Sequence, residues 1–209
     1  MANNTLFTIG YSSFSIEEFI GVLHSHNIKA VVDVRSQPYS KFYPDYNKQS
    51  LQCVLRENSI QYVFLGKELG ARRDEPACYK NGRVIYPLVM EAKGFKDGIK
   101  RLLTGIDKMR VTMMCAEKDP ITCHRTILIC RYLMRHEIDI KHILPKGKVE
   151  LQADAENRLL KLWNLDELEL FSSRNEQLQK AYAKQGEKIA FVEQNEIISP
   201  EQHNRANNQ

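Results

Sequence analysis

One short stretch of the chain, residues 113–133, concentrates side chains that can do chemistry. It reads MMCAEKDPITCHRTILICRYL and holds Cys115, Glu117, Cys123, His124 and Arg125 within eleven residues. A cysteine can act as a nucleophile or bind a metal, a histidine or glutamate can move protons, and an arginine can hold an anion. We therefore take Cys115, Glu117, Cys123 and His124 as candidate catalytic residues and Arg125 as a candidate ligand-binding residue.

The spacing of this stretch predicts where the two sulfur atoms lie. Asp119 followed by Pro120 is typical of a helix start, because proline at the first helical position loses no hydrogen bond. A helix over residues 120–136 would place Cys123 in its first turn, where the helix dipole and the neighbouring histidine and arginine lower a thiol pKa. Cys115 ends the preceding predicted strand, so the intervening loop can bring the two sulfurs together.

Three interpretations of these cysteines remain open from the sequence. In the first, one of them is a reactive thiol in an anion pocket. In the second, Cys115, Cys123, His124 and Glu117 bind zinc, although the gap between the cysteines fits no common zinc spacing and adjacent Cys and His rarely face one ion. In the third, the thiols only pack in the core, which a further cysteine on the same helical face, Cys130, favours. We predict no metal and no cofactor.

One thiol chemistry is disfavoured by the sequence. The phosphate-binding loop of tyrosine phosphatases needs a cysteine, five residues and then an arginine. The corresponding positions after Cys115 and Cys123 are Ile121 and Ile129. Phosphatase chemistry of that type is therefore not expected.

The elements that must position these residues alternate along the chain. Short apolar runs predict strands at residues 5–11, 29–35, 61–66, 110–116 and 139–144. Helical periodicity lies between them, over residues 15–27, 47–59, 86–92, 95–107 and 120–136. Ser15 with Glu18 forms a capping box, and Asn47 is expected to cap the second helix. The pattern predicts an α/β fold with a mostly parallel sheet of about five strands and helices on both faces.

The chain divides into two predicted parts. Residues 1–147 form the α/β domain, and residues 148–209 form a charged helical C-terminal extension that frays at its end. No apolar run is long enough to span a bilayer and no secretory signal is present, so we predict a cytoplasmic protein without a membrane partner. The five cysteines are an odd number, which argues against a disulfide framework. The net charge of +4 permits an anionic partner without identifying one.

Other candidate binding residues follow from the topology, because ligands of open α/β sheets gather at the carboxyl ends of the strands. The candidates at the predicted strand ends are Tyr11, Ser12, Asp33, Arg35, Ser36 and Arg72. Arginine offers a rigid fork of donors that suits phosphate, so these positions predict an arginine-lined anion pocket. The alternative for Arg35 is a structural pair with Asp33, and for Arg72 an exposed surface position.

The segment over residues 35–48 mixes aromatic and basic side chains. It holds four aromatic residues together with Arg35, Lys41 and Lys48. Aromatic faces stack on bases while cations meet phosphates, which favours nucleotide or single-strand binding. A tyrosine-rich loop that closes over the sheet explains the composition equally well.

Four segments, in this order, resemble the bacterial and archaeal family catalogued as domain of unknown function 488: TIGYSSFSIEEF, VVDVRSQPYSK, YVFLGKELGARR and MCAEKDPITCHR. The resemblance covers about residues 5–145 and implies an α/β fold. It assigns no reaction, because the family has no assigned chemistry. The family motifs fall on Gly10, Tyr11, Ser12, Asp33, Arg35, Ser36, Pro38, Ser40, Leu69, Gly70, Arg72, Cys115, Glu117, Cys123, His124 and Arg125. Tyr11 stands where many members have histidine, and Ala71 replaces a glycine.

Two functional hypotheses follow. The first is an enzyme that acts on a nucleotide or nucleic-acid-related phosphorylated substrate, with Arg35, Arg72 and Arg125 on the phosphate and Cys115 or Cys123 as the reactive group. The second is a non-catalytic module that binds a phosphorylated ligand through the same arginines, with structural cysteines. Both predict an anionic small molecule or a nucleic acid as the partner. The sequence sets no oligomeric state.

Overall fold

A computed structural model describes residues 4–166 and 172–193 and shows an α/β fold built on one six-stranded sheet. The strands of this sheet run in the order β3-β2-β6-β1-β7-β8. They are β1 (Thr5–Gly10), β2 (Ala30–Asp33), β3 (Gln61–Phe64), β6 (Val111–Cys115), β7 (Asp139–Ile143) and β8 (Val149–Leu151). The first five are mutually parallel and β8 is antiparallel to β7. The mostly parallel sheet is confirmed, with six strands rather than about five.

The connecting helices and one small hairpin complete the described structure. The hairpin pairs β4 (Tyr79–Lys80) with β5 (Arg83–Val84). The first helices are α1 (Ile16–Ser25), α2 (Lys48–Glu57), α3 (Gly66–Leu69), α4 (Tyr86–Glu91) and α5 (Lys93–Lys108). The later helices are α6 (π-helical over Arg125–Cys130, α-helical over Arg131–Leu133), α7 (Gln152–Leu162) and α8 (Arg174–Ile189). No helix among the described residues is long and apolar enough to cross a membrane.

Helices cover both faces of the sheet, as the near-continuous apolar strands predicted. The α1 and α2 side chains Phe19, Leu23, Leu51 and Leu55 pack on one face. The opposite face is covered by α4, α5, α6, α7 and α8, whose buried side chains form a second cluster. Because both faces are covered, the loops at the strand ends are the open part of the sheet.

The centre of the sheet brings distant segments to one edge. Strand β6 lies between β2 and β1, and all five of its residues are buried. Gly10 is in register with Cys115, and Asp33 is in register with Met114. The chain therefore leaves β1, β2 and β6 at one level of the same edge.

Of the two predicted helix caps, the structure forms one and not the other. Ser15 and Glu18 form the predicted capping box at the start of α1. Asn47 occupies the N-cap position of α2, but its side chain makes no bond to that helix. Its Oδ1 instead accepts the backbone N–H of Ser40 at 2.6 Å, so Asn47 holds the loop before α2.

The predicted helix over residues 120–136 has a different beginning. Asp119 and Pro120 start a single 3-10 turn, in which the Asp119 carboxylate accepts the Ile121 N–H. Cys123 then takes an extended conformation, with φ −125° and ψ 142°. Its carbonyl accepts the first helical N–H groups, so Cys123 stands immediately before the helix. The expectation that Cys123 lies in the first helical turn is wrong, because Asp119 and Pro120 cap the 3-10 turn.

The C-terminal extension is joined closely to the rest of the molecule. Strand β8 is the edge strand of the main sheet, and α7 and α8 contribute Ala155, Leu159 and Tyr182 to the larger core cluster. The extension, predicted to be helical, contains α7 and α8 but begins with the strand β8. The predicted frayed end, residues 198–209, lies outside the described residues.

Candidate functional site

The carboxyl ends of the strands border a cleft of about 280 Å³. We call it the strand-end cleft, and it is lined by Tyr11, Arg35, Ser36, Gln37, Tyr39, Ser40, Ala71, Arg72, Cys115, Ala116, Glu117 and His124. Three larger cavities lie elsewhere: two of about 460 Å³, one beside Arg131 and Tyr182 and one beside Arg56, and one of about 340 Å³ beside His136 and Gln152. Among these four cavities, thiol, imidazole and carboxylate groups meet only at the strand-end cleft, so its chemistry makes it the candidate site.

Two sulfur atoms and an imidazole nitrogen meet at the floor of this cleft. Sγ of Cys115 lies 3.7 Å from Nδ1 of His124, and Sγ of Cys123 lies 3.8 Å from the same nitrogen. All three ligand atoms lie within 4.8 Å of one another, and all three residues are buried. Glu117 Oε2 lies 3.0 Å from the Cys115 sulfur and 3.1 Å from the Cys123 sulfur. We call Cys115, Cys123 and His124 the sulfur–imidazole cluster.

The backbone conformation explains why two adjacent residues face one point. Cys123 is extended and His124 is helical, with φ −59° and ψ −25°. The change of conformation between them lets both side chains reach Cys115. The sequence argument that neighbouring Cys and His rarely face one ion therefore does not hold at this position, where the structure assembles donors that can hold a metal.

A hydrogen bond from the second strand fixes the imidazole. His124 Nε2 lies 3.1 Å from the carbonyl oxygen of Val34, which directly follows β2. Because a carbonyl only accepts, Nε2 carries a proton and donates it. Nδ1 is thereby directed at the two sulfurs.

In the cluster, the pKa values of the two thiols are shifted in opposite directions. A hydrogen bond with Cys123, and then burial, raise the pKa of Cys115 well above its ordinary value. Burial opposes ionisation of Cys123 too, but the Cys115 hydrogen bond and the charges of Arg125 and His124 lower its pKa well below the ordinary value. Burial raises the pKa of the Glu117 carboxyl, and the Cys123 charge raises it further. The cluster thus combines a favoured thiolate with a carboxyl that holds its proton more readily.

The predicted arginine at the end of the second strand is held by an ion pair. Arg35 Nε and Nη2 donate to the buried Asp33 carboxylate at 2.6–3.2 Å, and Nη2 also donates to the Tyr46 carbonyl. Nη1 is buried and has no hydrogen-bond partner among the described residues. Asp33 itself does not line the cleft. Asp33 therefore orients Arg35 and leaves Nη1 without a hydrogen-bond partner among the described residues.

The second cleft arginine comes from the loop after α3. Arg72 is exposed, and its guanidinium carbon lies 4.5 Å from the ring centroid of Phe191. Its backbone N–H donates to Ser36 Oγ at 2.9 Å, which ties the loop to the end of β2. No described acidic side chain pairs with Arg72. Its neighbour Arg73 is buried and paired with Glu75, so the two arginines have separate roles.

The residues after β1 divide between lining the cleft and supporting it. Tyr11 is buried, lines the cleft and stacks on Tyr46 at 4.3 Å between ring centroids. Burial raises the pKa of its hydroxyl. Ser12 does not line the cleft, and its backbone N–H donates to the Ala116 carbonyl at 3.2 Å. Ser12 therefore supports the loop after β6.

Arg125 has partners other than the predicted ligand. Its side chain is fully buried, and its guanidinium donates to the carbonyl oxygens of Glu117 and Lys118 and to Thr8 Oγ1. The expectation that Arg125 holds phosphate is corrected accordingly: its donors face backbone carbonyls beneath the cleft. The sequence places it correctly near the cluster, but the carbonyls that it binds belong to a loop whose path the sequence does not reveal.

Sequence analysis left several lining residues out of the candidate set. Gln37, Tyr39 and Ser40 belong to the aromatic and basic segment over 35–48, whose composition was the available signal. Ala116 lines the cleft without a sequence signal. Tyr46 from the same segment is buried, whereas Phe42 is 91 % exposed, so parts of the segment serve the core and parts face solvent.

The fold and the cleft define an α/β protein with a sulfur–imidazole cluster and two arginines at the carboxyl edge of a parallel sheet. The family model described as domain of unknown function DUF488 matches residues 15–132. The chain belongs to this family, and the predicted resemblance is confirmed. No curated protein and no solved structure matches the chain.

Proposed function

We propose that this protein is an enzyme that acts on a nucleotide or a nucleic-acid-related phosphorylated substrate bound in the strand-end cleft. The observation that carries the proposal is the position of Arg35 and Arg72 on the wall of the cleft whose floor is the sulfur–imidazole cluster. The guanidinium group of arginine donates bidentate hydrogen bonds to phosphate oxygens. The cluster supplies groups for nucleophilic, acid–base or metal chemistry.

The charges of the two arginines support an anionic ligand. Arg72 has no acidic partner among the described residues, whereas the charge of Arg35 is balanced by Asp33. Arg35 contributes its unpartnered Nη1 as a donor. A phosphate bound here would gain one uncompensated cation and one buried hydrogen-bond donor.

The size and walls of the cleft favour a small substrate. A volume of about 280 Å³ is at the lower end of ordinary ligand pockets. Tyr39 is 66 % exposed at the rim and offers a face on which a base can stack. The volume and the exposed ring favour a mononucleotide unit, free or at an exposed end of a strand, as the substrate.

Glu117 is the group best placed to move a proton in this cleft. Its carboxylate lines the cleft and touches both sulfurs. Its raised pKa brings proton exchange closer to neutral pH than an exposed glutamate allows. We assign it the acid–base role.

Replacement of Arg72 tests the proposal. Inorganic phosphate, 5′-AMP, ADP and a short oligothymidylate are titrated by calorimetry into the wild-type protein and into Arg72→Glu. At least one probe is expected to bind the wild type, and Arg72→Glu is expected to weaken it at least tenfold, because the charge facing the phosphate is reversed. Arg56→Ala, an exposed arginine outside the cleft, is the control and should bind like the wild type. Failure of every probe to bind the wild type would contradict the proposal.

The non-catalytic binding module is the second candidate, and the deep burial of both cysteine sulfurs favours it. The two candidates differ in turnover of a probe that binds. An enzyme converts the probe, and Glu117→Gln, which keeps the shape of the side chain, stops conversion while binding persists. A module returns the probe unchanged with either protein.

A further inference from the structure

The sulfur–imidazole cluster has the geometry of a metal site. Its three donor atoms lie within 4.8 Å of one another, with sulfur-to-nitrogen separations of 3.7 and 3.8 Å. Ligands that surround one zinc ion at about 2.0–2.3 Å stand at such separations from each other. The donors come from the end of β6 and from the residues that enter α6, so two rigid elements hold them.

The hydrogen bonding of His124 matches that of a metal-binding histidine. The imidazole donates its other nitrogen to the Val34 carbonyl, an arrangement that fixes ring orientation and leaves Nδ1 free for a cation. The loop between the two cysteines is braced by Arg125, which binds the carbonyls of Glu117 and Lys118. The site is therefore organised before any ion arrives.

We infer that Cys115, Cys123 and His124 bind one zinc ion. Two sulfurs and one imidazole are donors that favour zinc over magnesium or calcium, which prefer oxygen ligands. On binding, both sulfurs coordinate as thiolates, any thiol proton that they still hold leaves to solvent, and two Zn–S bonds form. The two thiolates balance the charge of the ion, which lowers the cost of burying it.

The cleft reaches the ion from one side. Cys115 and His124 line the strand-end cleft whereas Cys123 does not, so the fourth zinc position opens toward the cleft, next to Glu117. Three protein ligands and an open fourth position are typical of catalytic zinc sites, in which the bound water becomes a nucleophile near neutral pH. This catalytic role rests on the proposed function, whereas zinc binding does not.

Metal analysis of the purified full-length chain tests the inference. The wild type is expected to carry about one zinc per chain after purification in reducing buffer and desalting. The double variant Cys115→Ser/Cys123→Ser is expected to retain less than one tenth of that amount. Cys130→Ala removes a buried thiol from α6 outside the cluster and should keep the wild-type content.

A second measurement on the wild type covers the case in which the double variant does not fold. Titration with an organomercurial should release one zinc per chain, detected with a metallochromic dye, and cobalt substitution should give thiolate-to-metal absorption bands. A wild-type chain that holds no zinc as purified, and gains none when zinc is added under reducing conditions, would overturn the inference. The nucleotide titrations with metal-stripped protein separate this failure from failure of the proposed function, because Arg35 and Arg72 do not bind the ion.

Discussion

At the scale of single residues, Gly10 determines how closely the loop after β6 approaches β1. A Cβ atom at position 10 would lie 1.9 Å from the carbonyl oxygen of Glu117. Real side chains do not tolerate such a distance, and the atom in the way is backbone. Gly10 therefore lets the loop that carries Glu117 lie against the end of β1.

Substitution of this glycine should disturb the site more than the fold. Gly10→Ala is expected to lower the free energy of unfolding by about 1–3 kcal/mol, because the Glu117 loop must move away. The same movement should reduce zinc retention. Urea unfolding and metal analysis measure the two effects.

The matched control is Gly21→Ala. Gly21 lies within α1, and a Cβ there meets no atom within 4 Å. Alanine in a helix is favoured over glycine by about 0.5–1 kcal/mol, so this variant should be slightly more stable and keep its zinc. Equal behaviour of the two variants would refute the role given to Gly10.

Residue types and strand ends predicted much of the site. Arg35, Arg72, Cys115, Glu117 and His124 reach one cleft because parallel strands end at one edge of the sheet. The sequence could not show what each polar group binds, since those partners are distant in the chain. Arg125, for example, donates to loop carbonyls, and Asn47 accepts the Ser40 N–H.

At the scale of elements, a chain of buried polar side chains joins the sheet to the C-terminal helices. Thr8 Oγ1 lies 2.8 Å from His142 Nδ1, and His142 Nε2 lies 2.9 Å from Gln152 Oε1. Gln152 Nε2 donates to the Tyr182 hydroxyl, which donates to the Glu156 carboxylate, each at 2.8 Å. The contacts link β1, β7, α7 and α8 through satisfied hydrogen bonds.

This chain should make stability depend on pH. Burial, and then the Arg125 charge, lower the pKa of His142 from 6.5 to about 4. The unfolded chain therefore binds a proton on this histidine that the folded chain does not, and stability falls as pH decreases from about 6.5 to about 4. The shift corresponds to about 3 kcal/mol across that interval.

Urea unfolding at several pH values between 4 and 7 measures this effect. His142→Asn should lose less stability than the wild type over the interval, by about 3 kcal/mol. His136→Gln, which changes an exposed histidine, should follow the wild type. Carboxylates that titrate in the same interval are common to all three proteins and cancel in the comparison. Parallel curves for the wild type and His142→Asn would disprove the assignment.

Helical periodicity and apolar runs predicted the order of the five parallel strands and of the longer helices between them, but they missed α3, the hairpin of β4 and β5, and β8. They failed at the junction of 3-10 turn and π-helix between Pro120 and Cys130, where apolar residues fit an ordinary α-helix equally well. The convergence of Cys123 and His124 depends on that junction. Local sequence patterns predict the position of a helix more reliably than the backbone conformation of its first residues.

At the scale of the whole molecule, α8 supports the loop that leads to the cluster. Gln185 is buried and donates to the carbonyl of Ile121 at 2.7 Å, and its own Oε1 accepts the Trp163 indole N–H at 3.2 Å. The C-terminal extension thus contacts the 3-10 turn directly before Cys123. The predicted division at residues 147 and 148 separates segments that touch at the 3-10 turn before Cys123.

Loss of this contact should loosen the turn. Gln185→Ala is expected to cost about 1–3 kcal/mol, because the carbonyl and the indole lose a buried partner. Hydrogen–deuterium exchange in peptides that cover residues 116–124 should become faster. Gln179→Ala, on the exposed side of the same helix, should change neither quantity. Unchanged exchange in Gln185→Ala would show that α8 does not hold the turn.

The contact between Arg72 and Phe191 links the mouth of the cleft to the last described residues. Phe191 is itself held, because its carbonyl accepts the Val84 N–H at 2.9 Å and the Glu193 N–H donates to Gly82 at 2.8 Å. If a ligand of the proposed function draws the Arg72 guanidinium inward, it uncovers one ring face of Phe191. Ligand binding and the seating of residues 191–193, which we call the strap, would then oppose each other. By thermodynamic reciprocity, whatever detaches the strap tightens the ligand by the same factor by which the ligand loosens the strap.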